Sequence, residues 1–235
     1  VSRYEFLRRL TGLAIDEAMR ADSVAGSRPW ENESLKQNQP GVPDWVERPE
    51  TIDPKIRASL KLFASLLEPG QRVLDVGCFA GYCSDWLRAN RPGLRYFGVD
   101  VSPAAVALAK RLHPTREHDF HEGDLFRLES TVEAHGPFDA ALCLRVVIHC
   151  PSLYQALHEL TDAAPIVVVG LRVGEEDTAV EMLDTVSGER VFHRTYCPRT
   201  IAASMPLGFD WDLVHGPERF RGSDYSSLVL RERRA

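Results

Sequence analysis

The chain has no apolar run near the ~18 residues that a membrane-spanning helix needs. It has no excess of basic charge either, since 28 Lys and Arg face 34 Asp and Glu for a net −6. Nucleic-acid binding relies on clustered Lys and Arg, so this balance offers no general footprint for it. The basic end from Arg231 to Arg234 is short and reads as a solvated terminus. Cysteine is sparse and scattered, at positions 78, 83, 143, 150 and 197, with no C-x-x-C pairing. That excludes a disulfide frame and argues against a zinc site, and it fits reduced thiols in a cytoplasmic setting. No signal-peptide pattern opens the sequence, which begins at Val1.

Glycine is missing where a dinucleotide would require it. The stretch Arg72-Val-Leu-Asp-Val-Gly-Cys-Phe-Ala-Gly-Tyr82 holds an apolar strand ending in a turn bracketed by Gly77 and Gly81. A G-x-G-x-x-G begun at Gly77 would place glycines at 79 and 82, where Phe79 and Tyr82 stand. Side chains there crowd the approach of backbone to a pyrophosphate, which leaves a nicotinamide-dependent oxidoreductase as a minor alternative. Asp75 near the strand's end is a poor neighbour for phosphate and a good one for a cation. Tyr82, Trp86 and Leu87 then carry helical spacing. Strand, glycine turn and helix open a nucleotide-binding α/β sheet, with ligand at the strand's carboxyl end.

This segment resembles motif I of the class I S-adenosylmethionine (SAM)-dependent methyltransferases, acidic-x-Gly-x-Gly-x-Gly. Asp75, Gly77 and Gly81 match it, and Phe79 replaces the middle glycine. The likeness continues along the chain. Arg95 to Asp100 is a second strand ending in an acid, 19 residues beyond Gly81, at the spacing where a carboxylate reaches ribose hydroxyls. A third strand, Asp119 to Glu122, runs into Gly123-Asp124-Leu125. The resemblance implies that Asp124 takes the adenine amino group, with the Leu125 N–H beside it. It further implies cofactor contacts at Cys78, Phe79, Val101 and Leu144. Phe138 to Leu144 is a fourth strand, apolar enough to be buried on both faces. In small-molecule members of the family a His follows this strand near the transferable methyl, which makes His149 the candidate general base. Leu144-Arg145-Val146-Val147 stands where methyltransferases of adenine or glutamine amides carry Asn/Asp-Pro-Pro-aromatic, so that chemistry is disfavoured.

Pro165 to Leu171 is a fifth strand. Val180–Val186 and Val191–Tyr196 read as a hairpin with its tip at Ser187-Gly188. A short helix from Pro198 and strands over Gly208 to Val214 and Ser226 to Leu230 complete the pattern. The alternation implies a doubly wound, mostly parallel sheet with one antiparallel member. The resemblance adds seven strands in the order 3-2-1-4-5-7-6. His193 and Tyr196 are candidates to line an acceptor cavity. Arg145, Arg172 and Arg194, if two converge, would hold a carboxylate or phosphate.

Ahead of the sheet, residues 1–70 form a separate extension. A helix over 3–20, a Pro-rich loop over 21–53 and a helix from Asp53-Pro54 with Ile56, Leu60, Phe63 and Leu67 on one face would cap the active site of a methyltransferase domain over 71–235. The expected activity is methyl transfer from SAM to an O or N atom of a small molecule, in specialised metabolism. The partners are a small-molecule substrate, no nucleic acid and no membrane, with a homodimer as a possible assembly. The alternatives are a protein or RNA methyltransferase and an inactive SAM-binding partner subunit.

Overall fold

A computed structural model describes residues 54–150, 152–183, 190–220 and 223–233. The expected helix over 3–20, the loop over 21–53 and the hairpin tip at Ser187-Gly188 lie outside them. The elements in chain order are α1 (Pro54–Ser65), β1 (Arg72–Val76), α2 (Tyr82–Asn90), β2 (Arg95–Asp100), α3 (Pro103–Leu112), β3 (Phe120–Glu122) and α4 (Leu128–His135). There follow β4 (Ala140–Leu144), α5 (Leu153–Ala163), β5 (Ile166–Val173), β6 (Thr178–Leu183), β7 (Arg190–Thr195), α6 (Pro198–Ala203), β8 (Phe209–Phe220) and β9 (Ser223–Glu232).

The main sheet has seven strands in the order β3-β2-β1-β4-β5-β9-β8, and β6 and β7 pair separately. Strands β1 to β5 are mutually parallel, and β9 runs antiparallel between β5 and β8. With the hairpin set aside as an insertion, this is the 3-2-1-4-5-7-6 order expected. Strand order reverses between β1 and β4, the switch point where open α/β sheets bind ligands beyond the strands' carboxyl ends.

Period-two alternation sends successive residues of β1 to opposite layers. Leu74 and Val76 join Phe97, Val99, Leu153, Leu157, Leu160 and Ile201 on the α4–α5–α6 side. Val73 joins Leu60, Phe63, Leu87, Val106 and Ala109 on the α1–α2–α3 side. All four residues of the expected α1 stripe, Ile56, Leu60, Phe63 and Leu67, are buried there. The Ser59 and Ser227 hydroxyls lie 2.8 Å apart, tying α1 to β9.

Some boundaries differ from the sequence reading. Residues 114–119 form a 3₁₀ turn, so β3 starts at Phe120. Helix α4 was not expected, because Leu128 and Thr131 are its only buried residues and leave a faint periodic signal. Strand β8 extends past Val214 to Phe220, with its register broken between His215 and Arg219.

Candidate active site

The loop after β1 is built from backbone outward. The Gly77 and Cys78 N–H groups both donate to the Val99 carbonyl of β2, at 2.8 and 3.0 Å. Gly77 sits at φ +78°, and a Cβ there would lie 2.1 Å from Cγ2 of Val146, in the loop after β4. Only glycine lets the two loops approach so closely. Phe79 takes φ +48° despite its side chain. Its N–H donates to Asp100 Oδ2 at 2.9 Å, while Asp100 Oδ1 accepts from the Ser102 N–H at 2.9 Å. Ser102 in turn caps α3 by accepting from the Ala105 N–H at 3.3 Å. Burial raises the Asp100 pKa, and the Ser102 and Phe79 N–H groups offset that. The carboxylate keeps lone pairs beyond these two bonds, and it stands half-buried at the sheet's rim.

Asp75 is placed differently from the expectation that it faces a cation. It alternates with Leu74 and Val76 and so points into the α1–α2–α3 layer, 1% exposed. It accepts from the Tyr96 hydroxyl at 2.5 Å. Burial lifts its pKa from 3.8 to about 7, the Asp100 charge adds to the rise, and hydrogen bonds from Tyr96 and Cys83 oppose it. It therefore lies behind the loop and not on the cleft's surface.

Asp124 accepts from the Phe126 N–H at 2.9 Å and opens the 3₁₀ turn whose first residue is the buried Leu125. Its charge acts on the Cys150 thiol after β4, as does the opposing charge of Arg194 on β7. The turn after β4 and the hairpin meet where Arg194 reaches the His149 carbonyl. Val101 is half-buried beside Asp100, and Cys78 and Leu144 are buried.

Beyond β4 the chain makes a 3₁₀ turn over Val147–His149. His149 is half-buried, and its ring packs edge-on against His193 of β7, with centroids 4.8 Å apart and planes at 69°. The structure therefore brings together two residues that the sequence could nominate only singly. Arg194 and Tyr196 both reach the turn after β4. Arg194, 2% exposed, donates from Nη1 to the His149 carbonyl at 3.4 Å. Tyr196, fully buried, donates its hydroxyl to the Val147 carbonyl at 2.9 Å. Both prop the turn that carries His149. The Tyr196 N–H also donates to the Arg172 carbonyl at 2.9 Å, which fixes the hairpin to the end of β5. Arg145, at φ +62°, keeps an exposed side chain, and its charge reaches the Tyr82 and Tyr225 hydroxyls.

Sequence reasoning missed Val146, Ser102 and His113. Only Ser102 carried a signal, the Ser-Pro pair that opens a helix. His113 is 7% exposed and within 3.1 Å of the Ala80 carbonyl.

Residues 74–165 match the family model described as a methyltransferase domain. A ubiquinone biosynthesis O-methyltransferase from Alkalilimnicola ehrlichii is 33% identical over 90 residues, covering 38% of this chain and 35% of that protein. The ribosomal RNA small subunit methyltransferase C of Erwinia tasmaniensis is 30% identical over 140 residues, covering 59% of this chain and 36% of that protein. The chain thus spans little more than a third of the length of these curated relatives. The N-terminal domain of EvdMO1, solved with SAH bound, superposes with a TM-score of 0.60 at 19% identity, covering 100% of this chain and 98% of that one. At that identity the likeness speaks for the fold. The family match begins inside β1 and ends just before β5. It takes in the loops after β1 to β4 that form one rim of the sheet, and over those residues the chain is similar to SAM-dependent methyltransferases.

Proposed function

We propose that the protein transfers a methyl group from SAM to an O or N atom of a small molecule in specialised metabolism. The observation that carries this reading is the facing of two loops across the strand switch point. One is the acid-tipped glycine loop after β1. The other is the turn after β4, with His149 against His193.

The rim residues suit the donor's chemistry. Asp100 offers acceptor oxygens for ribose hydroxyls, and Asp124 with the Leu125 N–H offers an acceptor and a donor for an adenine edge. Gly77, Cys78, Phe79, Gly81, Val101 and Leu144 supply the walls, with Asp75 buried beneath the loop. When bound, SAM supplies an activated methyl on a positively charged sulfur. The chain's own work is to orient the acceptor, exclude water and take a proton. His149 would take it at a ring nitrogen from a hydroxyl or protonated amine, held in place by its edge-on contact with His193. Arg145, exposed after β4, and Arg172, half-buried near the end of β5, would meet an acidic group of the acceptor.

A second reading, methylation of RNA, is favoured by the match to a ribosomal RNA methyltransferase over 59% of the chain. The net charge of −6 weighs against it. The test is to incubate the purified chain with methyl-labelled SAM and a panel of phenols, sugars, amines and ribosomal RNA. Label should appear in a small molecule together with SAH. His149→Ala should lower that turnover with little change in SAH affinity. Label in RNA alone would overturn the small-molecule reading, and SAH binding without any transfer would favour a partner subunit.

A further inference from the structure

The glycine loop is held from below by a histidine that the proposed chemistry does not use. His113 ends α3 and is buried. Its Nε2 lies 3.1 Å from the Ala80 carbonyl. Its Nδ1 lies 2.8 Å from Arg116 Nη2, and Nη2 also meets Asp85 Oδ1 at 2.5 Å. Arg116 Nη1 donates to Ser84 Oγ at 3.0 Å. A guanidinium has donors and no acceptor, so Nδ1 must be the accepting nitrogen. Asp85 Oδ1 stands 3.6 Å from Nδ1, too far to accept a proton from it. The ring proton is therefore on Nε2, and Nε2–H donates to Ala80.

That bond acts on a single peptide plane. The Ala80 carbonyl and the Gly81 N–H belong to one rigid unit. His113 holds the carbonyl end, and the Cys78 carbonyl accepts from the Gly81 N–H at 2.9 Å. Clamped at both ends, the unit carries Gly81 at φ +82°, and the Gly81 carbonyl accepts from Ser84 N to start α2. The fit is close, since a Cβ on Gly81 would lie 2.9 Å from His113 Nε2 and 2.7 Å from Phe120. Phe120 stacks on the imidazole with centroids 5.3 Å apart.

We propose that His113 is a positioning residue for the cofactor loop, fixing the Ala80–Gly81 peptide as its Nε2–H tautomer, with Arg116 and Asp85 selecting that tautomer. This rests on the reading that SAM binds at this loop.

The proposal is tested by calorimetric titration of SAH into the wild type and variants, together with a long-range proton–nitrogen NMR spectrum of the unliganded wild type. The spectrum should show the His113 proton on Nε2. A proton on Nδ1 would overturn the proposal, and this arm needs neither mutant nor ligand. His113→Leu leaves a buried carbonyl without its donor and should weaken SAH binding about tenfold. His113→Gln, whose amide nitrogen can take the place of Nε2, should stay within about threefold of wild type. Arg116→Met should weaken binding in the wild-type background but not in His113→Gln. Equal SAH affinity in His113→Leu and the wild type would overturn the proposal, as would failure of His113→Gln to rescue a folded protein. Absence of SAH binding by the wild type would count against the cofactor reading instead, leaving the spectrum to decide the clamp.

Discussion

The loops after β1 and β4 face each other across the switch point, yet they are held in different ways. The first is fastened to its neighbouring strand by backbone and by an acid 21 residues on: Gly77 and Cys78 to Val99, Phe79 to Asp100. The second hangs from side chains that arrive late in the chain. Arg194 and Tyr196 reach its carbonyls from 45 and 49 residues beyond the atoms they hold. A socket made of backbone bonds and short-range caps presents the same shape whatever the surface around it. A turn propped by an inserted hairpin takes its shape from that insertion. In this molecule the loop after β1 is set by the sheet, and the turn after β4 by β6–β7.

The sharpest way to break this arrangement is at the point where the two loops touch. Gly77→Ala forces an L residue to φ +78°, costing about 1–2 kcal/mol, and drives its methyl into Val146, costing about 1–3 kcal/mol more. A loss of about 3 kcal/mol in urea unfolding is expected, together with loss of SAH binding. Adding Val146→Ala should recover the steric part and leave the conformational part. Full recovery would mean that the backbone angle carries no strain, and no recovery would mean that the loops do not pack as described.

A smaller effect separates the loop after β1 from the rest by its response to pH. Asp75 holds its proton up to about pH 7 when folded, against about 3.8 when unfolded. The folded state therefore binds more protons between those values, and its stability falls as pH rises through that window, then levels off above it. At about 1.4 kcal/mol per unit, the fall between pH 5 and 7 is on the order of 2 kcal/mol. Asp75→Asn should flatten that slope and be the more stable chain at pH 8. Urea midpoints at pH 5, 7 and 8 measure it, and a variant with the wild-type slope would show that other groups carry the effect.

The same contrast explains what could be read in advance. Strands β1, β2, β4 and β5 are short, mostly apolar runs, and local sequence shows them directly. Asp100 and Asp124 could be placed because each follows a strand. The direction of Asp75 could have been read from its alternation with Leu74 and Val76, since a residue inside a strand must choose a layer. His113 carried no signal because Lys110, Arg111, Arg116 and Glu117 make its neighbourhood look like surface. Its burial depends on Phe120, seven residues on, and on the glycine loop, 33 residues back at Ala80. In the hairpin, the roles of Tyr196 and Arg194 could not be read locally, because a polar tip near a strand end has the same signature whether it meets a ligand or a backbone carbonyl. Only the tertiary arrangement separates the two.

The smallest expected effect tests the prop itself. Tyr196→Phe keeps the buried ring and removes one hydroxyl, leaving the Val147 carbonyl without its donor. The cost to stability should be about 1 kcal/mol, because the ring's packing is retained. If the hairpin shapes only the turn after β4, SAH affinity should be unchanged while turnover falls a few-fold as the turn carrying His149 loosens. A fall in SAH affinity would mean that the hairpin's grip extends through Val146 to Gly77 and that the two loops form one mechanical unit. Unchanged turnover would mean that Arg194 alone suffices to hold the turn.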